Sequence, residues 1–229
     1  MPLVINPPFK TLDSGLVLYV PLWAGELSVS PFNSKDINKH VCTATGALWT
    51  PQGRTFDGVD DKIQTGATVA FNTNNIYTAI AWIYPTDYKV NGDPNCFLSF
   101  GTNTPTSGYM DEFSLRWSAP NLNVRFANYA GDWTGVGGVA PVNTWSCVVL
   151  VHDGVNDKVK IYVNGALGLD VAYTFDLLTT TGVVTVGCEN LTVPEMFFTG
   201  GIGEVLVYKR ELNPLEIQHN YLATRWRYQ

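Results

Sequence analysis

Apolar and polar residues alternate with a period of two along much of this chain. Leu122-Asn123-Val124-Arg125-Phe126 shows the alternation cleanly, and Val159-Lys160-Ile161-Tyr162-Val163 repeats it before the turn dipeptide Asn164-Gly165. Successive side chains of a strand point to opposite faces, so this period predicts strands with one face in a core. Trp145-Ser146-Cys147-Val148-Val149-Leu150-Val151 is apolar at nearly every position, which predicts a strand covered on both faces. Other strand-like runs span residues 16–22, 54–56, 62–64, 77–84, 96–100, 112–117, 183–186 and 202–208. Asn91-Gly92, Asp153-Gly154 and Gly200-Gly201 read as turns between them. Many short strands at this spacing predict a sandwich or barrel. One helix is expected, at the C-terminal end, where Asn213 caps, Pro214 takes the first helical position and Glu216 completes a capping box. Its apolar stripe is read as Leu215, Ile217, Tyr221 and Leu222.

Composition narrows the function classes. Of 229 residues, 45% are hydrophobic and 15% charged, enough for a substantial core. The net charge is -6 and the basic residues are scattered, with Arg225-Trp226-Arg227 too short to form a phosphate-binding surface. Nucleic-acid binding is therefore not expected. Membrane insertion is not expected either, because no apolar run approaches the length of a span. The start MPLVINPPFK has no basic segment leading into an apolar one, so a secretion signal is not expected. Cys42, Cys96, Cys147 and Cys188 lack the spacing of a zinc site and are expected to be reduced, partly buried thiols. Pro2, Pro7 and Pro8 interrupt any ladder in residues 1–13, which reads as an extended arm. Its apolar residues Leu3, Val4, Ile5 and Phe9 are candidates for docking on a sister subunit.

The segments GLVLYVPL, GALWTPQGRTFDGVDDKI, YTAIAWIYP, TWSCVVLVHDG, KVKIYVNG and GGIGEVLVYKREL follow one another from Gly15 to Leu212. In this order they resemble the laminin G-like, concanavalin A-like jelly-roll family, the lectin/glucanase superfamily. The resemblance implies an all-β, antiparallel two-sheet jelly-roll sandwich over residues 14–229, with the short C-terminal α-helix appended. It also implies binding of glycans, proteins or surfaces, since such domains are often parts of bacterial and phage surface proteins. Fold alone does not assign a function, so the candidate chemistry has to be read from residues.

Asp57, Asp60 and Asp61 cluster in TFDGVDDKI. An Asx-type turn is expected there, ahead of a calcium site, because calcium demands six to eight oxygens. Relatives often complete such a site with an aspartate on the closing strand, and Gly203 holds that position here; alternation points the adjacent Glu204 to the other face. No cofactor is expected. No strand carries alternating carboxylates, and His40, His152 and His219 stand singly, so no catalytic residue is assigned and an enzyme is not expected. The loop from Asn128 to Gly138 offers Tyr129, Asp132 and Trp133 as candidate glycan ligands, behind the first reading, in which its aromatics cover a sheet edge. A second segment, from Tyr84 through Asp87 and Tyr88, is a candidate for the same rim. Trp23, Trp49, Trp82, Trp117 and Trp145 read as core or near-core packing. The expected role is a non-enzymatic, surface-displayed structural or binding protein, such as a homo-oligomeric virion decoration or fibre component with glycan adhesion. It would act on a virion surface or outside the cell. A free-standing bacterial lectin is the alternative, and a glycoside hydrolase the weakest reading.

Overall fold

A computed structural model describes residues 14–71, 76–87, 95–101, 110–118, 121–128, 133–172, 180–189 and 196–229. They build two facing antiparallel sheets. The first runs, in spatial order, through Ala166–Ala172 (β14), Lys158–Val163 (β13), Ser146–Asp153 (β12), Ile76–Pro85 (β7), Thr199–Tyr208 (β16), Gly53–Asp57 (β5) and Leu48–Thr50 (β4). Leu16–Val20 (β1) also pairs with β16. The second runs through Trp133–Val139 (β11), Asn121–Asn128 (β10), Met110–Ser118 (β9), Asn95–Gly101 (β8), Thr180–Val186 (β15), Lys62–Phe71 (β6), Val41–Thr45 (β3) and Phe32–Asn33 (β2). The expected all-β sandwich is present. The N-terminal arm with Leu3, Val4, Ile5 and Phe9 lies outside the described residues.

The core between the sheets follows the period-two pattern. Phe56, Ile63, Leu150 and Ile161 are buried in it, each on a strand whose next residue faces away. The first sheet is apolar on its outer face as well. There Ile80, Trp82, Cys147, Val149 and Val151 form a second cluster beneath the C-terminal helix Pro214–Thr224 (α1). Two covered faces account for the unbroken apolar run of β12, in which every residue is buried.

Helix α1 starts as its sequence dictates. The Asn213 side chain accepts from Leu215 N and Glu216 N, while the Glu216 carboxylate accepts from Asn213 N. The helix sits on Trp82, whose ring stacks on Tyr221 at 5.8 Å and on Tyr228 at 4.4 Å. The Trp82 Nε1–H donates to Thr224 Oγ1 at 2.8 Å. The buried stripe differs from the expected one: it passes through Ile217 and Asn220, while Leu215 and Leu222 face solvent. Trp82 offers a hydrogen-bond donor, and a face carrying Thr224 satisfies it where a leucine face would leave it unpaired.

At the other margin the two sheets close on each other through glycine. A Cβ on Gly168 of β14 would lie 2.8 Å from Gly138 N of β11, and one on Gly137 would lie 3.1 Å from the Gly168 carbonyl. The segment read as a loop from Asn128 to Gly138 is thus partly a strand, and its glycines let β11 pack on the edge strand β14. Cys42, Cys96, Cys147 and Cys188 form no disulfide, and all four are buried, more deeply than expected.

Candidate functional site

The aspartate cluster joins β5 of the first sheet to β6 of the second. Asp57 Oδ1 accepts the N–H groups of Val59 at 2.8 Å and Asp60 at 3.4 Å, an Asx-type turn that Gly58 supports with φ +80. Asp61 Oδ2 accepts Asp57 N–H at 2.8 Å, and its other oxygen rests against Gly46, where a Cβ would collide with it. Burial pushes the Asp61 carboxyl above its ordinary value, and the carboxylates of Asp57 and Asp60 push it the same way, against the Asp57 N–H bond. One oxygen from each of Asp57, Asp60 and Asp61 lies within 4.8 Å of the others, with Asp57 and Asp60 exposed. A cation would find three ligand groups here, two of them already engaged by backbone donors.

Gly203 is not the missing partner of this cluster. Asp57 pairs with Thr199, and Gly203 lies four residues further along β16, about 13 Å away at the rise of a strand. The space at Gly203 is filled from the other side: a Cβ there would lie 2.5 Å from the Tyr228 hydroxyl and 2.6 Å from Cζ of its ring. The alternation argument for Glu204 also fails. A register shift between Ile202 and Val205 inserts a bulge opposite Trp82, and Glu204 turns toward the C-terminal residues. Its carboxylate accepts Trp23 Nε1–H at 3.1 Å and lies 3.7 Å from the Arg227 guanidinium. Burial pushes the Glu204 carboxyl up, opposed by the Trp23 bond and the Arg227 charge. Arg227 itself stacks between Trp23, at 3.6 Å, and Trp226, at 4.7 Å.

Beside α1 the outer face of the first sheet opens into a trough of about 560 Å³. Tyr84 of β7 pairs with Gly201 of β16, which pairs with Thr55 of β5, which pairs with Leu48 of β4. Trp145 extends this row, because Ser146 pairs with Ile83 and Trp145 comes one residue earlier. The Trp145 and Tyr84 rings lie 5.4 Å apart, both half-buried, and the Trp145 ring leans over Gly201, where a Cβ would stand 3.1 Å from Cη2. Tyr228 backs Trp145 from behind at 4.8 Å. Thr50, Gln52, Thr55 and Thr86 supply hydroxyl and amide groups around the glycine floor. Gly200 has φ +138, and a Cβ on it would meet the Tyr84 carbonyl. Aromatic walls, a floor without side chains and scattered hydroxyls make a surface that can stack a flat apolar face and hydrogen-bond its polar edge.

Of the residues expected at a glycan rim, Tyr84 lines the trough, and Asp87 follows Thr86, which also lines it. Trp145, expected as core or near-core packing, is half-buried against the outer cluster, and Gly200-Gly201, expected as a turn, belong to β16. A glycine pair inside an apolar strand signals close approach of another group, and that signal was available. Trp133 begins β11 of the second sheet, while Tyr84 lies on β7 of the first. Tyr88, Tyr129 and Asp132 lie outside the described residues. His152 is buried, stacked on Tyr77 at 5.0 Å, in keeping with a structural role.

Among known proteins, the profile of the family described as the concanavalin A-like lectin/glucanases superfamily matches residues 57–218. No curated protein matches the sequence. Domain 4 of AbnA, a GH43 extracellular arabinanase from Geobacillus stearothermophilus solved with arabinotriose, aligns with a TM-score of 0.63 at 18% identity, over 90% of this chain and 98% of that one. Trypanosoma rangeli sialidase aligns with a TM-score of 0.64 at 16% identity, over 93% of this chain, which spans only 33% of the sialidase. The CBM40 of Ruminococcus gnavus IT-sialidase, solved bound to α2,3-sialyllactose, aligns with a TM-score of 0.53 at 18% identity, over 64% of this chain and 82% of that one.

Proposed function

The chain belongs to the concanavalin A-like lectin/glucanases superfamily, and from that premise we propose that it binds carbohydrate without transforming it, through the trough between Tyr84, Trp145 and β4. One observation carries the reading: two half-exposed aromatic rings stand beside a glycine floor, with threonine hydroxyls and a glutamine amide within the same depression. The negative face of an aromatic ring attracts the C–H side of a sugar, and hydroxyl and amide groups meet its edge. Among the described residues no carboxylate lines the trough, whereas glycoside hydrolysis calls for a pair of them across the bond to be cut. Two structural neighbours, the arabinanase domain and the CBM40, were solved with oligosaccharides bound, which is compatible with this role.

The test is a glycan array followed by calorimetry on wild type, Trp145→Ala and Tyr84→Ala. Each substitution should weaken binding at least tenfold, about 1.4 kcal/mol. Unchanged affinity in both variants, with folding intact, would place the site elsewhere. The role as a subunit of an assembled particle rests on the arm of residues 1–13 and has its own test: deletion of residues 1–12 should abolish assembly if the arm docks on a neighbour.

A further inference from the structure

The chemistry of the trough goes further than "carbohydrate". Resting on the binding reading above, we infer that its ligand is an uncharged oligosaccharide chain, laid across the strands from Trp145 toward Leu48, and not an acidic sugar held by its carboxylate. Recognition of a sialic or uronic acid needs a cation or a cluster of free donors at the carboxylate, typically an arginine fork. Among the described residues lining the trough Arg54 is the one that is charged, and its guanidinium is turned to the opposite face of β5, with both terminal nitrogens engaged and its Nε–H buried away from the trough. Its Nη1 donates to Ala47 O at 2.6 Å, its Nη2 donates to Leu27 O at 2.6 Å and Val29 O at 3.0 Å, and its plane covers the Phe32 ring at 5.3 Å. Arg54 is buried, while its neighbour Thr55 is exposed on the trough side. The groups that the described residues leave to meet a ligand are therefore neutral: hydroxyls, an amide and two rings.

The surrounding charge points the same way. Asp57, two residues beyond Thr55 on the same face of β5, is exposed, and the chain as a whole carries -6. An anionic chain would approach against this field, whereas a neutral one would be indifferent to it. The dimensions indicate a chain of sugars in preference to a single terminal residue. Trp145, Tyr84, Gly201, Thr55 and Leu48 follow one another across neighbouring strands, so the row spans four inter-strand steps, about 19 Å. Leu48 is 71% exposed and ends the row at the edge strand β4, where nothing among the described strands continues the sheet. A chain could pass over that edge without a wall to stop it.

Isothermal titration of the full chain with neutral linear pentose and hexose oligosaccharides, their monosaccharides, and oligogalacturonate or sialylated oligosaccharides decides the matter. At least one neutral chain should bind, its monosaccharide and the acidic chains at least ~10-fold more weakly, a difference of about 1.4 kcal/mol. Neutral binding should be unmoved by salt, since no ion pair forms. Trp145→Ala should abolish it. Thr55→Lys, at an exposed position that leaves folding intact, should raise affinity for the acidic chains and so narrow the gap; this variant keeps the test decisive if Trp145→Ala fails to fold. Tighter binding of an acidic chain, salt-sensitive and lost in Trp145→Ala, would overturn the uncharged-ligand inference while leaving the trough as the site. Neutral binding unchanged in Trp145→Ala, an affinity for acidic chains unmoved by Thr55→Lys, or no binding of any oligosaccharide by folded wild type would overturn the trough reading itself and this inference with it.

Discussion

Gly203→Ala places one methyl group where Tyr228 already stands. The new Cβ would sit 2.5 Å from the tyrosine hydroxyl and 2.6 Å from Cζ, well inside van der Waals contact. Swinging the tyrosine aside is obstructed, because its ring is stacked on Trp82 at 4.4 Å and packed at a tilt against Trp145 at 4.8 Å. Expelling it altogether would expose on the order of 150–250 Å² of aromatic surface, roughly 4–6 kcal/mol as an upper bound. Local adjustment is cheaper, and overpacking of a tight site typically costs about 1–3 kcal/mol. The smaller figure wins, so the variant should fold with a Tm lowered by roughly 3–10 °C for a domain of this size. Gly203 has no positive φ to complicate the comparison, so the whole penalty comes from the contact. A double-mutant cycle isolates it: in a Tyr228→Ala background the same glycine substitution should cost under about 0.5 kcal/mol. Denaturant unfolding of the four proteins measures both numbers. Equal penalties with and without Tyr228, or no penalty at all, would refute the claim that tyrosine packing is what keeps residue 203 a glycine.

Three further outcomes are expected. Arg54→Met keeps the apolar stem but leaves the carbonyls of Ala47, Leu27 and Val29 without their donor, and should cost about 3 kcal/mol in denaturant unfolding; a loss near zero would mean those carbonyls are satisfied some other way. Glu204 is held above its ordinary 4.5 by burial, so its contribution to stability is fully present below that value and declines as pH rises through the folded-state value. Glu204→Gln should therefore gain on wild type as pH is raised across that window, and a difference that stays flat or moves the opposite way contradicts the assignment. Because Asp57 and Asp61 already accept backbone N–H groups, EDTA should leave Tm unchanged; a drop of several degrees would show that a cation holds Asp57, Asp60 and Asp61 together.

The parts of the fold that were legible in the sequence are those in which one residue type has one physical meaning. Unbroken apolar character in β12 means two covered faces, and both are covered, by the opposing sheet and by α1. Asn213, Pro214 and Glu216 each satisfy or remove an orphan N–H of a helix start, and the helix starts there. Glycine is different, because it records that a Cβ is excluded without recording what excludes it. At Gly168 the excluding group is another backbone, which closes the sandwich; at Gly203 it is Tyr228, 25 residues later in the chain; at Gly201 it is the Trp145 ring leaning over an open floor. The pair Gly200-Gly201 therefore looked like a turn, and Gly203 looked like a lost aspartate, until the register of β16 showed what each one faces. Trp145 was hidden for a related reason. Its parity with Cys147 assigns it to the outer face of the first sheet, but whether that face is covered depends on how far the C-terminal helix and the turn after it extend, and Tyr228 stops just short of covering it. The half-exposed tryptophan on an otherwise covered face is thus a product of the C-terminus as much as of β12, which is why the same Gly203→Ala that unsettles Tyr228 should also weaken sugar binding.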